Sequence, residues 1–175
     1  DVTTGDYNTA VGYAAGDAIT TSNYNTALGS GALGADDLGS FSTAIGRGTL
    51  ANQNYASATN SFNTAVGANA GEQITTGTNN TLIGGLAGDA TTTGSANTSV
   101  GTGSLGSNTT ASSNTAVGFD AGSSNTTGAF NTFVGKDSGL SITTSSNSTF
   151  VGEYSGRSTT GGGNTFIGQG AGTHV

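Results

Sequence analysis

A motif of the form Asn/Ser-Thr-x-aliphatic-Gly recurs along the whole chain at nearly constant spacing, and this period constrains the fold more than any other feature. The repeats begin at residues 8, 25, 42, 63, 80, 97, 114, 131, 148 and 164, so most of them are 17 residues apart. One spacing is 21 residues, because four residues are inserted near 52–60, and one is 16 residues, because one residue is missing in 157–163. Such a repeat is typical of solenoids, in which each unit stacks on its neighbours. We therefore predict that residues 1–175 form a single repeat domain.

The residues of the repeat favour β structure over helix. Thr occupies position 2 and Gly position 5 in all ten repeats, and position 4 is always Val, Leu or Ile. Gly, Thr and Asn are weak helix formers, whereas a short Thr-x-aliphatic stretch is typical of a strand. The Gly at position 5 is expected to turn the backbone with positive φ or to pack closely. We predict an all-β fold, a β-solenoid or parallel β-roll of about ten 17-residue coils, with a trimer as one form of assembly.

Stacking turns every position of the repeat into a ladder with one rung about every 4.8 Å. The aliphatic residues at position 4 are expected to form the inner column, and the Asn residues at position 1 an amide ladder along a corner. The ladder residues of three repeats represent this set: Asn8, Thr9, Val11, Gly12, Asn25, Thr26, Gly29, Asn114, Thr115, Val117 and Gly118. Position 3 faces the opposite way from position 4. Phe133, Phe150 and Phe166 at position 3 are therefore expected to point outward and to form a chain–chain contact.

The charge and composition exclude several classes of function. A net charge of −7 with only three basic residues argues against nucleic acid as a partner. No apolar run is long enough for a membrane-spanning helix, and the chain has no Cys for disulfides or thiolate metal sites. The chain also lacks Met, so we expect a processed chain or a fragment.

The sequence offers little material for catalysis or for a cofactor. His174 is the one histidine, so a catalytic triad has no base within the repeats, and we predict that the chain is not an enzyme. The segments 29–34 and 101–106 match G-x-G-x-x-G, but neither lies in a βαβ context. Two pairs of carboxylates share a position in adjacent repeats and are weak calcium candidates: Asp120 with Asp137, and Glu72 with Asp89. No other cofactor is expected.

The repeat resembles a known type of sequence. The segments NTAVGYAAGDAITTSNYNTALG (8–29) and NTAVGFDAGSSNTTGAFNTFVG (114–135) are similar to the NTAVG-type repeats of bacterial and phage fibre proteins. They are also similar to the head repeats of trimeric autotransporter adhesins. The resemblance implies a trimeric left-handed parallel β-roll and a location on the cell surface, outside the cell or in a virion fibre.

The leading functional hypothesis is a structural subunit or shaft module of an extracellular fibre. Residues 1–7 match positions 11–17 of a repeat and residues 172–175 end near positions 9–12, so we expect subunits to stack head to tail, with a homotrimer as the alternative assembly. A binding head, in which the insertion recognises a cell-surface glycan or receptor, is the second hypothesis. The third is an ice-binding array of the Thr pairs in the connecting segments. We rank it last because the pair is missing after the second and third repeats.

Overall fold

The computed structural model describes residues 4–173 and confirms an all-β solenoid built from parallel coils. A strand of three residues lies at positions 2–4 of every repeat, and two shorter strands lie in the connecting segments after the second and third repeats. In chain order the strands are β1 (Thr9–Val11), β2 (Thr26–Leu28), β3 (Gly39–Ser40), β4 (Thr43–Ile45), β5 (Thr59–Asn60), β6 (Thr64–Val66), β7 (Thr81–Ile83), β8 (Thr98–Val100), β9 (Thr115–Val117), β10 (Thr132–Val134), β11 (Thr149–Val151) and β12 (Thr165–Ile167). Within residues 4–173 no helix is long and apolar enough to cross a membrane.

The strands of the repeat form one ten-stranded parallel sheet in which equivalent residues pair in register. Thr9 lies opposite Thr26, and the same match continues to the pairing of Thr149 with Thr165. The long third coil does not shift this register, because Thr43 still pairs with Thr64. Its extra residues are accommodated elsewhere, where β3 and β5 form a separate two-stranded sheet. The repeat spacing therefore predicts the strands correctly, and the insertion leaves the main sheet intact.

The inside and the outside of the coil are opposite to the sequence-based prediction. Position 3 points inward, where Ala27 and Ala44 are fully buried, whereas at position 4 Val11 is 56% and Leu28 is 45% exposed. The predicted inner column of aliphatic residues at position 4 is therefore wrong. The interior of each coil is narrow, because the opposite wall supplies side chains such as Leu33 that reach the inner face of the strand. Ala fits this space, and the larger aliphatic residue is left outside.

The three Phe residues at position 3 belong to the core and not to a chain–chain contact. Phe133 and Phe150 are fully buried, and Phe166 packs against the same cluster. The ring centroids of Phe133 and Phe150 are 6.0 Å apart, and those of Phe150 and Phe166 are 5.4 Å apart. Aromatic pairs at these separations stabilise a core beyond the area that they bury. The prediction of an outward Phe stripe failed because it followed from the wrong assignment of position 4.

The corners of the coil require left-handed backbone at the same positions in every repeat. At position 5 the glycines have φ between 124° and 140°. A Cβ added to Gly12 would lie 2.8 Å from the carbonyl carbon and oxygen of Gly29, because the backbones of neighbouring coils almost touch there. Both predicted reasons for this glycine, positive φ and close packing, are confirmed. Positions 7, 9 and 17 also have positive φ, and there Leu33, Tyr24 and other non-glycine residues adopt it.

Candidate functional site

The outer surface of the ten-stranded sheet is the most regular feature of the molecule. The side chains at positions 2 and 4 point outward and form two parallel ranks, one of Thr and one of aliphatic residues. We call this surface the Thr/aliphatic face. It consists of Thr9, Thr26, Thr43, Thr64, Thr81, Thr98, Thr115, Thr132, Thr149 and Thr165, and of Val11, Leu28, Ile45, Val66, Ile83, Val100, Val117, Val134, Val151 and Ile167.

The Thr/aliphatic face is regular, neutral and stiff. Every neighbouring strand pair is parallel and in register, and each strand contributes the same two outward positions. None of the twenty side chains is charged, although the chain carries ten acidic and three basic residues at other positions. Nineteen of the twenty are β-branched, Leu28 being the exception. Because β-branched side chains have few rotamers, the chemical groups of this face are held at fixed, repeating positions.

The hydroxyl groups of the face are available to solvent. Within residues 4–173, none of the ten position-2 Thr hydroxyls makes a hydrogen bond to another protein atom. The Thr pairs of the connecting segments differ, because in several of them the first hydroxyl donates to a backbone carbonyl of the next coil. Thr92 Oγ1 donates to the carbonyl of Thr109 at 3.1 Å, and Thr126 Oγ1 donates to the carbonyl of Thr143 at 2.9 Å. The first Thr of these pairs therefore helps to join the coils, whereas the sheet hydroxyls take no part in such bonds.

The Asn residues at position 1 connect each coil to the next through the backbone. The Asn25 amide Nδ2 donates to the carbonyl of Gly39 at 2.8 Å, and its Oδ1 accepts from the backbone N–H of Ser42 at 2.8 Å. Direct bonds between neighbouring amides are longer, such as the 3.2 Å from Asn97 Nδ2 to Asn80 Oδ1. The predicted Asn ladder is present, but it bonds mainly to main-chain groups, which fixes the corner behind the Thr/aliphatic face.

An aromatic column stands at position 17 of the first coils. The rings of Tyr7, Tyr24, Phe41 and Phe62 stack with centroid separations of 4.8, 5.0 and 5.2 Å. All four side chains remain partly exposed, from 39% for Phe41 to 75% for Tyr7. The inner rings, Tyr24 and Phe41, are covered on both faces by their neighbours, whereas Tyr7 and Phe62 are each stacked on one face. A sugar ring that stacks on an aromatic face therefore has little access to the inner rings of this column.

Two side chains of the insertion in the third coil, Gln53 and Tyr55, are buried near a buried carboxylate. Asp36 accepts from the backbone N–H of Gly39 at 2.9 Å and from Gln53 Nε2 at 2.5 Å. Burial raises the pKa of Asp36 above its ordinary value of 3.8, while these hydrogen bonds act in the opposite direction. Tyr55 donates its hydroxyl to the carbonyl of Gly77 at 2.8 Å, and burial raises its pKa as well. The network joins three coils through hydrogen bonds.

The stacked carboxylates lie where the repeat register predicts, but each site holds only two of them. Burial raises the pKa of Asp120, and the neighbouring Asp137 raises it further. Burial also raises the pKa of Asp89, with a smaller contribution from Glu72. Within residues 4–173 no group of three or more His, Cys, Asp and Glu side chains is close enough to hold a metal ion. Among the described residues, neither calcium candidate therefore gains a third carboxylate.

The two glycine motifs can be located in the structure, whereas the single histidine cannot. The glycine motifs 29–34 and 101–106 each follow a strand and continue into turns, so they do not resemble a phosphate-binding loop ahead of a helix. His174 and the first three residues lie outside the described residues.

Comparison with known proteins identifies no relative: no family model matches the chain, and no curated protein or solved structure does so either.

Proposed function

We propose that the chain is a rod-shaped structural module that serves as the shaft of an extracellular fibre. The observation that carries the proposal is the unbroken register of the ten-stranded sheet across coils of 16, 17 and 21 residues. Because every coil adds one strand to the same sheet, whatever the length of the coil, the fold is suited to building an elongated rod. By the ordinary strand spacing of about 4.8 Å, ten coils extend over about 48 Å.

Three kinds of contact along the rod axis support this function. Backbone hydrogen bonds join successive strands, as in the donation from Thr98 N–H to the carbonyl of Asn114 at 2.8 Å. The position-1 amides add side-chain bonds between coils, and the Thr pairs add hydroxyl-to-carbonyl bonds in the connecting segments. A pulling force along the axis is thereby shared over several parallel bonds at every coil boundary.

The aromatic column and the insertion favour a shaft over a binding head. The inner rings of the aromatic column are covered by their neighbours, and the insertion directs Gln53 and Tyr55 into the interior. The proposal includes self-association, end to end or as a homotrimer, and a location on the cell surface, outside the cell or in a virion fibre. These parts follow the resemblance of the repeats to those of fibre proteins.

A coil-deletion series tests the shaft function. Removing residues 97–113, one full coil, is expected to leave a folded rod that is about 4.8 Å shorter by small-angle X-ray scattering. Removing residues 97–104, half a coil, is the control and is expected to destroy the register and lower the melting temperature. Electron microscopy of the intact chain reports single rods, trimers or end-to-end filaments. A compact particle whose longest dimension does not change with coil number would refute the proposal.

A further inference from the structure

The Thr/aliphatic face is too narrow for a stable protein partner. Ten rungs spaced by about 4.8 Å give a length of about 48 Å, and the two ranks are about 7 Å apart along the strand. The resulting area of roughly 300–500 Å² is below the roughly 800 Å² per partner that a standard protein–protein interface buries. The area therefore favours an occupant that needs only a narrow contact.

The chemistry of the face fits ordered water better than it fits an irregular solute. The Thr hydroxyls have no hydrogen-bond partner within residues 4–173, so each is free to bond water. The methyl groups and the adjacent aliphatic rank restrict the orientations of first-shell water. A charged side chain would hold its own hydration shell, and none is present among the twenty residues.

The Thr/aliphatic face is also preorganised for a periodic ligand. Its β-branched side chains lose little rotamer freedom on binding, and its backbone is fixed by the sheet, so little ordering cost opposes association. A crystal presents the same site at regular intervals, so that ten identical rungs bind together with a gain from multivalency.

We propose that the Thr/aliphatic face binds ice. From the sequence alone, ice binding ranks last of the three functional hypotheses, because the series of Thr pairs in the connecting segments is interrupted. In the structure the first Thr of several pairs donates its hydroxyl to a carbonyl of the next coil, as Thr109 does to Thr126. The Thr residues at position 2 keep hydroxyls that make no such bond, and they form an array that continues through all ten coils, including the insertion at Thr43 and Thr64. The objection therefore applies to the wrong set of threonines. This function is independent of the shaft function, since it uses one side of the rod and not its length.

Thermal hysteresis and ice-crystal shape, measured on the full chain, test the proposal. The wild-type protein is expected to lower the freezing point below the melting point and to produce faceted crystals. Thr98→Tyr places a bulky ring in the middle of the face and is expected to abolish the hysteresis. Thr110→Tyr, at an exposed Thr in a connecting segment, is the matched control and is expected to keep it. Circular dichroism melting curves establish that both variants are folded.

Several results would overturn the proposal. One is a wild-type protein without hysteresis or crystal faceting, and another is a folded Thr98→Tyr variant that keeps full hysteresis. If Thr98→Tyr unfolds early, Val117→Tyr tests the same face at a residue that is 38% exposed. Sedimentation that shows copies associating, and dispersing in Thr98→Tyr, without any hysteresis would assign the face to self-association instead. Rod length by scattering stays the separate test of the shaft function.

Discussion

Positions 3 and 9 of a coil share one space in the core, and exchanging their side chains is the sharpest test of the packing. In the eighth coil Phe133 fills the interior, and a Cβ on Gly139 would collide with its ring. In the third coil the arrangement is reversed, since Ala44 leaves room for Leu50, and both are fully buried. We therefore expect the double variant Phe133→Ala/Gly139→Leu to restore in the eighth coil the packing of the third.

The expected free energies follow from the two local environments. Phe133→Ala alone leaves a cavity and should cost about 3–5 kcal/mol. Gly139→Leu alone should cost about 1–3 kcal/mol for overpacking, together with about 1–2 kcal/mol for left-handed backbone at φ 67°. In the double variant the Leu side chain fills the cavity, so mainly the backbone cost remains. The cavity and overpacking costs together come to about 4–8 kcal/mol, so the favourable coupling between the two substitutions should be at least about 3 kcal/mol, the upper end for residues in contact.

Thermal and urea unfolding of the four proteins, followed by circular dichroism, measures this coupling. Each kcal/mol is worth about 2–4 °C in melting temperature for a chain of this size. Gly31→Leu is the control for the backbone cost, because Gly31 has φ 70° and a Cβ there would meet nothing within 4 Å. Its destabilisation should be about 1–2 kcal/mol. Additive effects in the Phe133→Ala/Gly139→Leu double variant would refute the shared-space account of the core.

Three further predictions concern the backbone, the amide ladder and the buried carboxylate. Gly84→Ala should lower the unfolding free energy by about 1–3 kcal/mol more than Gly168→Ala does. A Cβ on Gly84 would lie 2.6 Å from the backbone of the next coil, whereas a Cβ on Gly168 would meet nothing within 4 Å. Equal melting temperatures of the two variants would contradict this. Asn114→Ala leaves the buried N–H of Asn131 without a partner, while the carbonyl of Gly128 keeps its bond from Asn125 Nδ2. Calorimetry should therefore show a loss of about 1–3 kcal/mol, and a neutral effect would show that the amide is dispensable. Burial raises the pKa of Asp36, so the native state retains a proton that the unfolded chain releases. The free energy of unfolding should therefore fall as the pH rises from 3.8 through the raised pKa. Asp36→Asn should flatten this pH dependence in melting curves recorded across that range. A slope unchanged by Asp36→Asn would assign the pH dependence to other groups.

The repeat predicts those features that stacking imposes on every coil alike. Strand placement, register and the glycine at position 5 all follow from the fact that each residue meets its own copy in the next coil. This holds even at the insertion, where Thr43 pairs with Thr64 despite four extra residues. Such features depend on the period alone, and not on which way a side chain points.

Ranking residues by hydrophobicity does not predict which of positions 3 and 4 points into the core. A strand of three residues has a single inward side chain, and in a narrow coil the residue that fits is selected by the volume opposite to it. The sequence does contain a signal for this. Phe at position 3 is accompanied by Gly at position 9, as in Phe150 with Gly156, whereas Leu at position 9 is accompanied by Ala or Ser, as in Leu105 with Ser99. Compensating volumes of this kind mark two residues that share a core.

The candidate site was missed for the same reason. Once position 4 was assigned to the interior, Thr at position 2 had to be interior as well, and the only exposed threonines left were those of the connecting segments. Which Thr hydroxyls are free and which donate to a neighbouring carbonyl depends on the coil geometry. That distinction, shown by Thr98 and Thr92, has no signature in the residue type.

The third coil shows that one corner of the rod accepts added sequence without any change to the sheet. Residues 52–60 lengthen one connection while Thr43 still pairs with Thr64, and the cost of closing a loop grows slowly with its length. The equivalent corner of every other coil is thus a site at which a foreign peptide can be grafted. With successive coils about 4.8 Å apart, grafts placed in chosen coils would be held at known distances, so that the protein would serve as a molecular ruler.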